Sequence, residues 1–154
     1  MTLNDIDITV IGGGVGGLAC AIALRHHGAA VTVLEQAEAI TEVGAGVQVS
    51  PNGLRVIEAL GLADALAATS VQGQAVSLRN GATGAEVARL DLRSLPSDQR
   101  YFFVHRADLV DLLSSTARDM GVTIRLLQQV DTVTTGPTPR VVMATGDHRT
   151  TDLV

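Results

Sequence analysis

The chain has one cysteine, Cys20, so it can close no intrachain disulfide, which points to a reducing compartment. It has no tryptophan, one tyrosine and two phenylalanines. Ala, Val, Leu and Ile must therefore supply the core, which suits a buried parallel sheet flanked by helices. No apolar run approaches the ~18 residues of a membrane span, and the first residues, MTLNDID, carry two acids and no basic region. A cytoplasmic protein is expected. Basic charge is in deficit: 11 Lys and Arg stand against 16 Asp and Glu, for a net charge of −5. That leaves no electrostatic footprint for nucleic acid or an anionic membrane. The four histidines (His26, His27, His105 and His148) have no metal-ligand spacing around them and are read as structural or solvated. No Ser-His-Asp arrangement is visible, and no catalytic residue can be assigned. At 154 residues the chain has the size of one domain, able to bury roughly two thirds of its unfolded surface.

What the chain does have is concentrated in residues 6–36, IDITVIGGGVGGLACAIALRHHGAAVTVLEQ. Ile6 to Ile11 is a β-branched run of strand length. Gly12, Gly14 and Gly17 follow in the order G-x-G-x-x-G, then a helix-like segment to about His27. A second β-branched run, Val31 to Leu34, ends in Glu35. This pattern reads as a strand, a glycine turn, a helix and a parallel strand. Gly12 allows the tight turn, and Gly14 lets the backbone approach a pyrophosphate at the positive end of the helix. Gly17, with Ala21 one turn later, lets the helix lie close to the sheet. Glu35 comes 18 residues after Gly17, close to the expected ~20, where a carboxylate can accept both ribose hydroxyls. A dinucleotide-binding α/β fold is expected. Within the helix, Cys20 lies among Leu18, Ala19, Ala21 and Ile22 and is expected to pack as a small apolar group.

Farther along, Gly44, Gly46 and Gly53 punctuate a long connection in which Val47 to Val49 reads as a short strand. Pro51 suits the first turn of a helix with Ser50 as its N-cap, and Gly61 suits the stop. Leu62 to Ala68 reads as another short helix. Val76–Arg79 and Glu86–Leu92 alternate as strands around Asn80-Gly81, an antiparallel hairpin inserted in or projecting from the nucleotide-binding sheet. Residues 93–100, RSLPSDQR, are a polar connection. After the apolar run Tyr101–Val104, the spacing of Leu109, Leu112, Leu113 and Ala117 predicts a helix with Arg106 at its start. A cation there opposes the helix dipole, so Arg106 is either functional or merely solvated. Val122–Leu126, Val130–Thr134 and Arg140–Ala144 read as strands, and Asp152-Leu153-Val154 as the middle of another.

The stretches IGGGVGGLACAIALRHHG, VLEQA, GAGVQVSPNGLRVIEALGL, VHRADLVDLL and TTDLV lie in one order across nearly the whole chain. Taken together, they resemble the N-terminal part of the single-component FAD-dependent aromatic hydroxylases of the salicylate hydroxylase and hydroxynicotinate monooxygenase type. The resemblance implies a Rossmann-like FAD/NAD(P)-binding domain, a parallel sheet with a βαβ start and an antiparallel β insertion, incomplete at the C-terminus. It makes residues 1–154 the N-terminal part of the FAD-binding domain, with the substrate domain absent from this chain. It also implies that Gly12, Gly14, Val15, Gly16 and Gly17 line the FAD pyrophosphate, and that Glu35, with Gln36 beside it, holds the adenosine ribose. Val47 and Gln48 would run past the flavin ring, Arg106 would reach the phosphate and ribose region, and Val130 would meet the adenine through its backbone. Family members are considerably longer, and the Gly-Asp-Gly motif that normally follows the DLV strand is not reached, so a fragment is expected.

The chemistry implied is that of an NAD(P)H-dependent flavoprotein monooxygenase. FAD is the cofactor, NAD(P)H the co-substrate, O2 and a small aromatic molecule the other reactants, and a flavin C4a-hydroperoxide the hydroxylating species. The 154 residues alone are expected to be inactive. Two alternatives stay open: a non-catalytic dinucleotide-binding remnant or module, and an NAD-dependent dehydrogenase domain. The glycine turn and Glu35 alone permit the second, but GAGVQVSPN and HRADL give it no use.

Overall fold

The computed structural model describes residues 2–40, 45–96 and 98–154, so Gly44 and Ser97 of the connections above lie outside the described residues. In chain order the first elements are β1 (Asp7–Ile11), α1 (Val15–His26), β2 (Ala30–Leu34), β3 (Gly46–Val49), α2 (Pro51–Ala59) and α3 (Ala63–Thr69). Then come β4 (Ser70–Gln72), β5 (Ala75–Arg79), β6 (Glu86–Asp91), β7 (Phe102–His105), α4 (Arg106–Asp119), β8 (Thr123–Arg125), β9 (Val130–Thr134), β10 (Arg140–Met143) and β11 (His148–Thr150). They divide into two compact units: residues 1–43 with 109–154, and residues 44–108.

The first unit is built on parallel pairing. β1 runs beside β2 with Ile8 opposite Val31 and Ile11 opposite Leu34, and β8 lies along the far edge of β2 with Leu34 opposite Arg125. On the other edge of β1, Leu153 bridges to Ile8, and the Thr9 amide donates to the Leu153 carbonyl. The order β8, β2, β1, Leu153 is that of a dinucleotide-binding sheet, in which the ligand sits beyond the carboxyl ends of the strands. The expected final strand is thus present only as this single bridge.

The sheet's runs of Val, Ile and Thr are buried: Ile8, Thr9, Val31, Val33 and Leu34 are all nearly inaccessible. α1 packs on β1 and β2 through Leu18, Ala21 and Ile22, each at 0% exposure. Cys20 lies two residues from Leu18 and so projects from the opposite side of the helix, where it is exposed. The expectation of a packed thiol is therefore corrected. Among the described residues, β9, β10 and β11 form an antiparallel meander. It is tied to β1 by Arg149, whose guanidinium donates to both carboxylate oxygens of Asp7 at 2.7 and 2.8 Å and to the buried hydroxyl of Thr9 at 3.0 Å. β11 has no apolar signal in its sequence, and pairing with β10 creates it.

In the second unit β3, β7 and β4 form an antiparallel sheet in that order. α2 begins at Pro51 and buries Leu54 and Ile57. Ser50 occupies the N-cap position, but its hydroxyl donates to Asn52 Oδ1 instead of accepting from the helix. β5 and β6 form the expected hairpin as a separate two-stranded sheet. Its turn is longer than a two-residue Asn-Gly loop. Asn80 Oδ1 accepts from the amides of Ala82 and Thr83 at 2.9 and 3.0 Å, and Gly84 takes the left-handed conformation at φ +71°. Among the described residues no helix is long and apolar enough to cross a membrane.

Candidate dinucleotide site

The glycine turn sits at the carboxyl end of β1. The amide of Gly12 continues the β1–β2 ladder by donating to the Leu34 carbonyl at 2.8 Å, and Gly12 then turns the chain at φ +100°, a conformation that disfavours a side chain. Gly14 is the N-cap of α1, in extended conformation, and its carbonyl accepts the first helical bond from Leu18 at 2.9 Å. No acidic side chain stands in the first turn of α1 and none caps it, so the amides that open the helix have no intrahelical acceptor. Close approach of the helix to the sheet is fixed at Gly17. A Cβ there would overlap the Gly12 carbonyl oxygen and stand 3.1 Å from its carbon, both backbone atoms. By contrast a Cβ at Gly14 or Gly16 meets no protein atom within 4 Å. The turn is closed toward the sheet and open toward whatever lies in front of α1.

Glu35 closes the other side. The end of β2 delivers its side chain half-buried to the glycine turn, where Oε2 accepts from the Gly13 amide at 2.6 Å and Oε1 from the Ala37 amide at 2.8 Å. Two amides thus fix the carboxylate beside the turn. Gly13, the unassigned x of the motif, is the residue whose amide makes that join, and it is buried.

A recess of about 180 Å3 is lined by Gly12, Glu35, Gln36 and Val130 together with Leu34 and Gln128. Another of about 180 Å3, on the Gly13 and Gly14 side of Glu35, includes Ala37, Ile40 and Val110. The structure therefore brings Gly12, Gly14, Glu35, Gln36 and Val130 together. Gln128 was not visible beforehand. It reaches the site because its amide donates to the Glu35 carbonyl at 2.8 Å, a pairing that follows from strand register and has no local sequence sign.

Val47, Gln48 and Arg106 belong to the second unit. Val47 and Gln48 lie on β3 opposite Val104 and Phe103 of β7, and Gln48 Oε1 accepts from the Tyr101 hydroxyl at 2.6 Å. Arg106 is the exposed first residue of α4, and its amide donates to the Ala45 carbonyl at 3.0 Å. Among the described residues no group of His, Cys, Asp and Glu is arranged to hold a metal ion.

The family model for the FAD binding domain matches residues 5–151. The 3-amino-4-hydroxybenzoate 2-monooxygenase of Streptomyces cremeus is 43% identical over 128 residues, covering 79% of this chain and 32% of that protein. The tetrameric form of 2-methyl-3-hydroxypyridine-5-carboxylic acid oxygenase superposes with a TM-score of 0.83 at 29% identity, over 96% of this chain and 38% of that one. Klebsiella pneumoniae HpxO, solved with FAD and uric acid, superposes with a TM-score of 0.80 at 25% identity, over 98% of this chain and 39% of its own. The chain spans about a third of the length of the curated relatives it matches. A glycine turn open to a phosphate, a carboxylate fixed beside it and a recess leading to Val130 fit the pyrophosphate, ribose and adenine of FAD. The chain belongs to the FAD-binding-domain family.

Proposed function

We propose that the chain is the FAD-binding portion of an NAD(P)H-dependent monooxygenase that hydroxylates a small aromatic substrate. The observation that carries this reading is the Glu35 carboxylate, held by the Gly13 and Ala37 amides at the mouth of a glycine turn in a chain of the FAD-binding family. The amides at the start of α1 receive the pyrophosphate, and the absence of a Cβ at Gly14 and Gly16 leaves it room. Glu35 accepts the hydroxyls of the adenosine ribose, with Gln36 beside it, and Val130 meets the adenine through its backbone. Val47 and Gln48 are assigned to the flavin ring, and Arg106 to the phosphate and ribose region, by resemblance to the aromatic hydroxylases.

When bound, FAD supplies the activation of O2 and the transfer of one oxygen atom, with electrons from NAD(P)H. The protein's part in these 154 residues is to bind and orient the cofactor. The similar proteins act on an aminohydroxybenzoate and a hydroxypyridine carboxylic acid, or hold uric acid. Small ring substrates bearing hydroxyl or acidic groups are the class we assign, in a cytoplasmic setting where NAD(P)H is available. Titration of the purified chain with FAD, FMN and NAD, followed by flavin fluorescence and calorimetry, tests the cofactor assignment. Binding of FAD in preference to the other two is expected, and binding of NAD without FAD would return the dehydrogenase reading. Oxidation of NAD(P)H that depends on an aromatic substrate, measured on the longer polypeptide, tests the activity.

A further inference from the structure

The dipeptide Asn-Gly occurs twice in the chain, at Asn80-Gly81 and at Asn52-Gly53. Glycine has no Cβ to shield its backbone nitrogen, so that nitrogen can reach the side-chain carbonyl carbon of the asparagine before it. The fold makes the two sites unlike. At the tip of the β5–β6 hairpin, Asn80 turns its side chain forward over Gly81, and Oδ1 accepts from the Ala82 and Thr83 amides at 2.9 and 3.0 Å. The ring closed by the first of these bonds includes the Gly81 nitrogen. Among the described residues the Gly81 amide has no acceptor, and a Cβ at Gly81 would meet nothing within 4 Å. Both Asn80 and Gly81 are exposed to water. The two amides also draw electron density from the Asn80 side-chain carbonyl, as donors do in an oxyanion hole. A free nucleophile and a polarised carbonyl carbon thus share one exposed turn.

Asn52 stands in the first turn of α2, and its side chain turns the other way. Its Oδ1 accepts from the Ser50 hydroxyl, two residues back, and a Cβ at Gly53 would lie 3.5 Å from Val49 Cγ1. The backbone there is held helical, because the Leu54 amide donates to the Ser50 carbonyl at 2.9 Å and both Leu54 and Ile57 are buried. Closing a five-membered ring between Asn52 and Gly53 takes the Asn52 ψ out of the helical range, so the first turn of α2 must open. We propose that Asn80 is a site of spontaneous deamidation, and that the fold directs this reaction to Asn80 and away from Asn52. The Gly81 nitrogen attacks the side-chain carbonyl carbon of Asn80 and forms the N–C bond of a cyclic imide. The bond to the side-chain nitrogen breaks, and ammonia leaves with the proton of the Gly81 amide. Water then opens either carbonyl of the imide, giving aspartate or isoaspartate, and nothing is oxidised or reduced. Aspartate keeps an acceptor for the Ala82 and Thr83 amides and adds one negative charge. Isoaspartate inserts a methylene into the main chain at the hairpin tip, where the Asn80 amide donates to the Ala85 carbonyl at 2.8 Å.

The test ages the full chain in mildly alkaline buffer, folded and in denaturant, and follows both asparagines by peptide mapping and mass spectrometry. The denatured chain sets the duration and supplies the ratio of the two rates when no fold separates the sites. On folding, the ratio of conversion at Asn80 to conversion at Asn52 is expected to rise about tenfold or more, the factor given by an opening cost of ~1.4 kcal/mol at α2. Gly81→Ala should slow conversion at Asn80 several-fold and leave Asn52 as in wild type, because the added methyl group crowds the attacking nitrogen. A ratio unchanged or lowered by folding would overturn the proposal. So would Asn80 left intact in the folded chain, which would show that the capped turn protects it, or a Gly81→Ala chain that reacts at the wild-type rate.

Discussion

Three glycines of the turn that look alike in sequence should respond differently to the same added methyl group. In Gly17→Ala the new Cβ overlaps the Gly12 carbonyl oxygen, stands 3.1 Å from the Gly12 carbon and 3.5 Å from Val10 Cγ1. The nearest two atoms are backbone, and no rotamer change relieves them. α1 must lift from the sheet, pulling on Leu18, Ala21 and Ile22, all at 0% exposure. Overpacking of this kind costs about 1–3 kcal/mol, and the helix-propensity gain of alanine returns at most about 1 kcal/mol. A net loss of about 1–2 kcal/mol lowers the melting temperature of a domain this size by roughly 2–8 °C. Gly16→Ala meets no neighbour and lies in the helix, so its stability should be unchanged or raised by up to about 1 kcal/mol. Gly14→Ala also meets no neighbour, and its extended backbone accepts alanine, so only the N-cap preference of glycine over alanine, about 0.5–1 kcal/mol, is lost. Its methyl group, however, enters the space assigned to the pyrophosphate. FAD affinity should fall by about 1.5 kcal/mol or more, the scale of one charge-assisted hydrogen bond. Circular dichroism melts and FAD fluorescence titrations on the three variants separate fold from ligand. A Gly17→Ala chain that melts with wild type, or a Gly14→Ala chain that binds FAD normally, would refute the steric argument.

Arg106→Ala should weaken FAD binding by about 1–3 kcal/mol, the range for a lost charge-assisted contact; unchanged affinity by fluorescence titration would show that Arg106 does not serve the cofactor. Arg149→Met removes the ion pair in which one guanidinium nitrogen donates to both Asp7 oxygens, and the donor to Thr9, and should cost about 1–2 kcal/mol in denaturant unfolding. Part of that difference should disappear in 1 M salt, because the pair is partly exposed, and a difference indifferent to salt would place the effect in packing. At the base of the β5–β6 hairpin, hydrogen bonds from the Arg93 side chain and amide hold the Asp91 carboxyl down at about 2. A depressed carboxylate stabilises the fold above its unfolded value and loses that contribution as pH falls, here from about 4 toward 2. In Arg93→Gln the backbone amide of residue 93 still donates to Asp91, so by NMR the carboxyl carbon should titrate above about 2 but short of the ordinary value of about 3.9, and an unmoved midpoint would show that the Arg93 side chain is not the cause.

What could be read before the structure was whatever depends on neighbours in sequence. The β1–turn–α1–β2 unit, the acid at its end, the helix starting at Pro51 and the one starting at Arg106 are each specified by a few adjacent residues. The failures share the opposite property. β11 is His-Arg-Thr, with nothing apolar to announce it, and exists because β10 offers an edge and Arg149 finds Asp7. The turn at Asn80 does fall between Arg79 and Glu86 as the spacing has it, but its form is set by the Asn80 side chain capping two later amides. Cys20 was placed by the company it keeps along the chain, whereas the helix period puts it on the other face from Leu18.

The proposed cofactor site divides along the same line. Gly12, Gly14 and Glu35 belong to one βαβ unit, and their spacing is a local pattern. Gln128 and Val130 reach the same recess from over 90 residues away. They arrive only because β8 pairs with β2 in a register that sets Leu34 against Arg125. With three residues and a single half-buried side chain, Ile124, β8 has little hydrophobic pattern of its own to fix that register. The bonds beyond the strand supply it: Glu35 to Arg125, Gln128 to Glu35 and Leu127 to Ala37. These bonds gather at the residue that holds the ribose in the proposed complex. Strand register and the proposed ligand site are thus specified by one set of contacts.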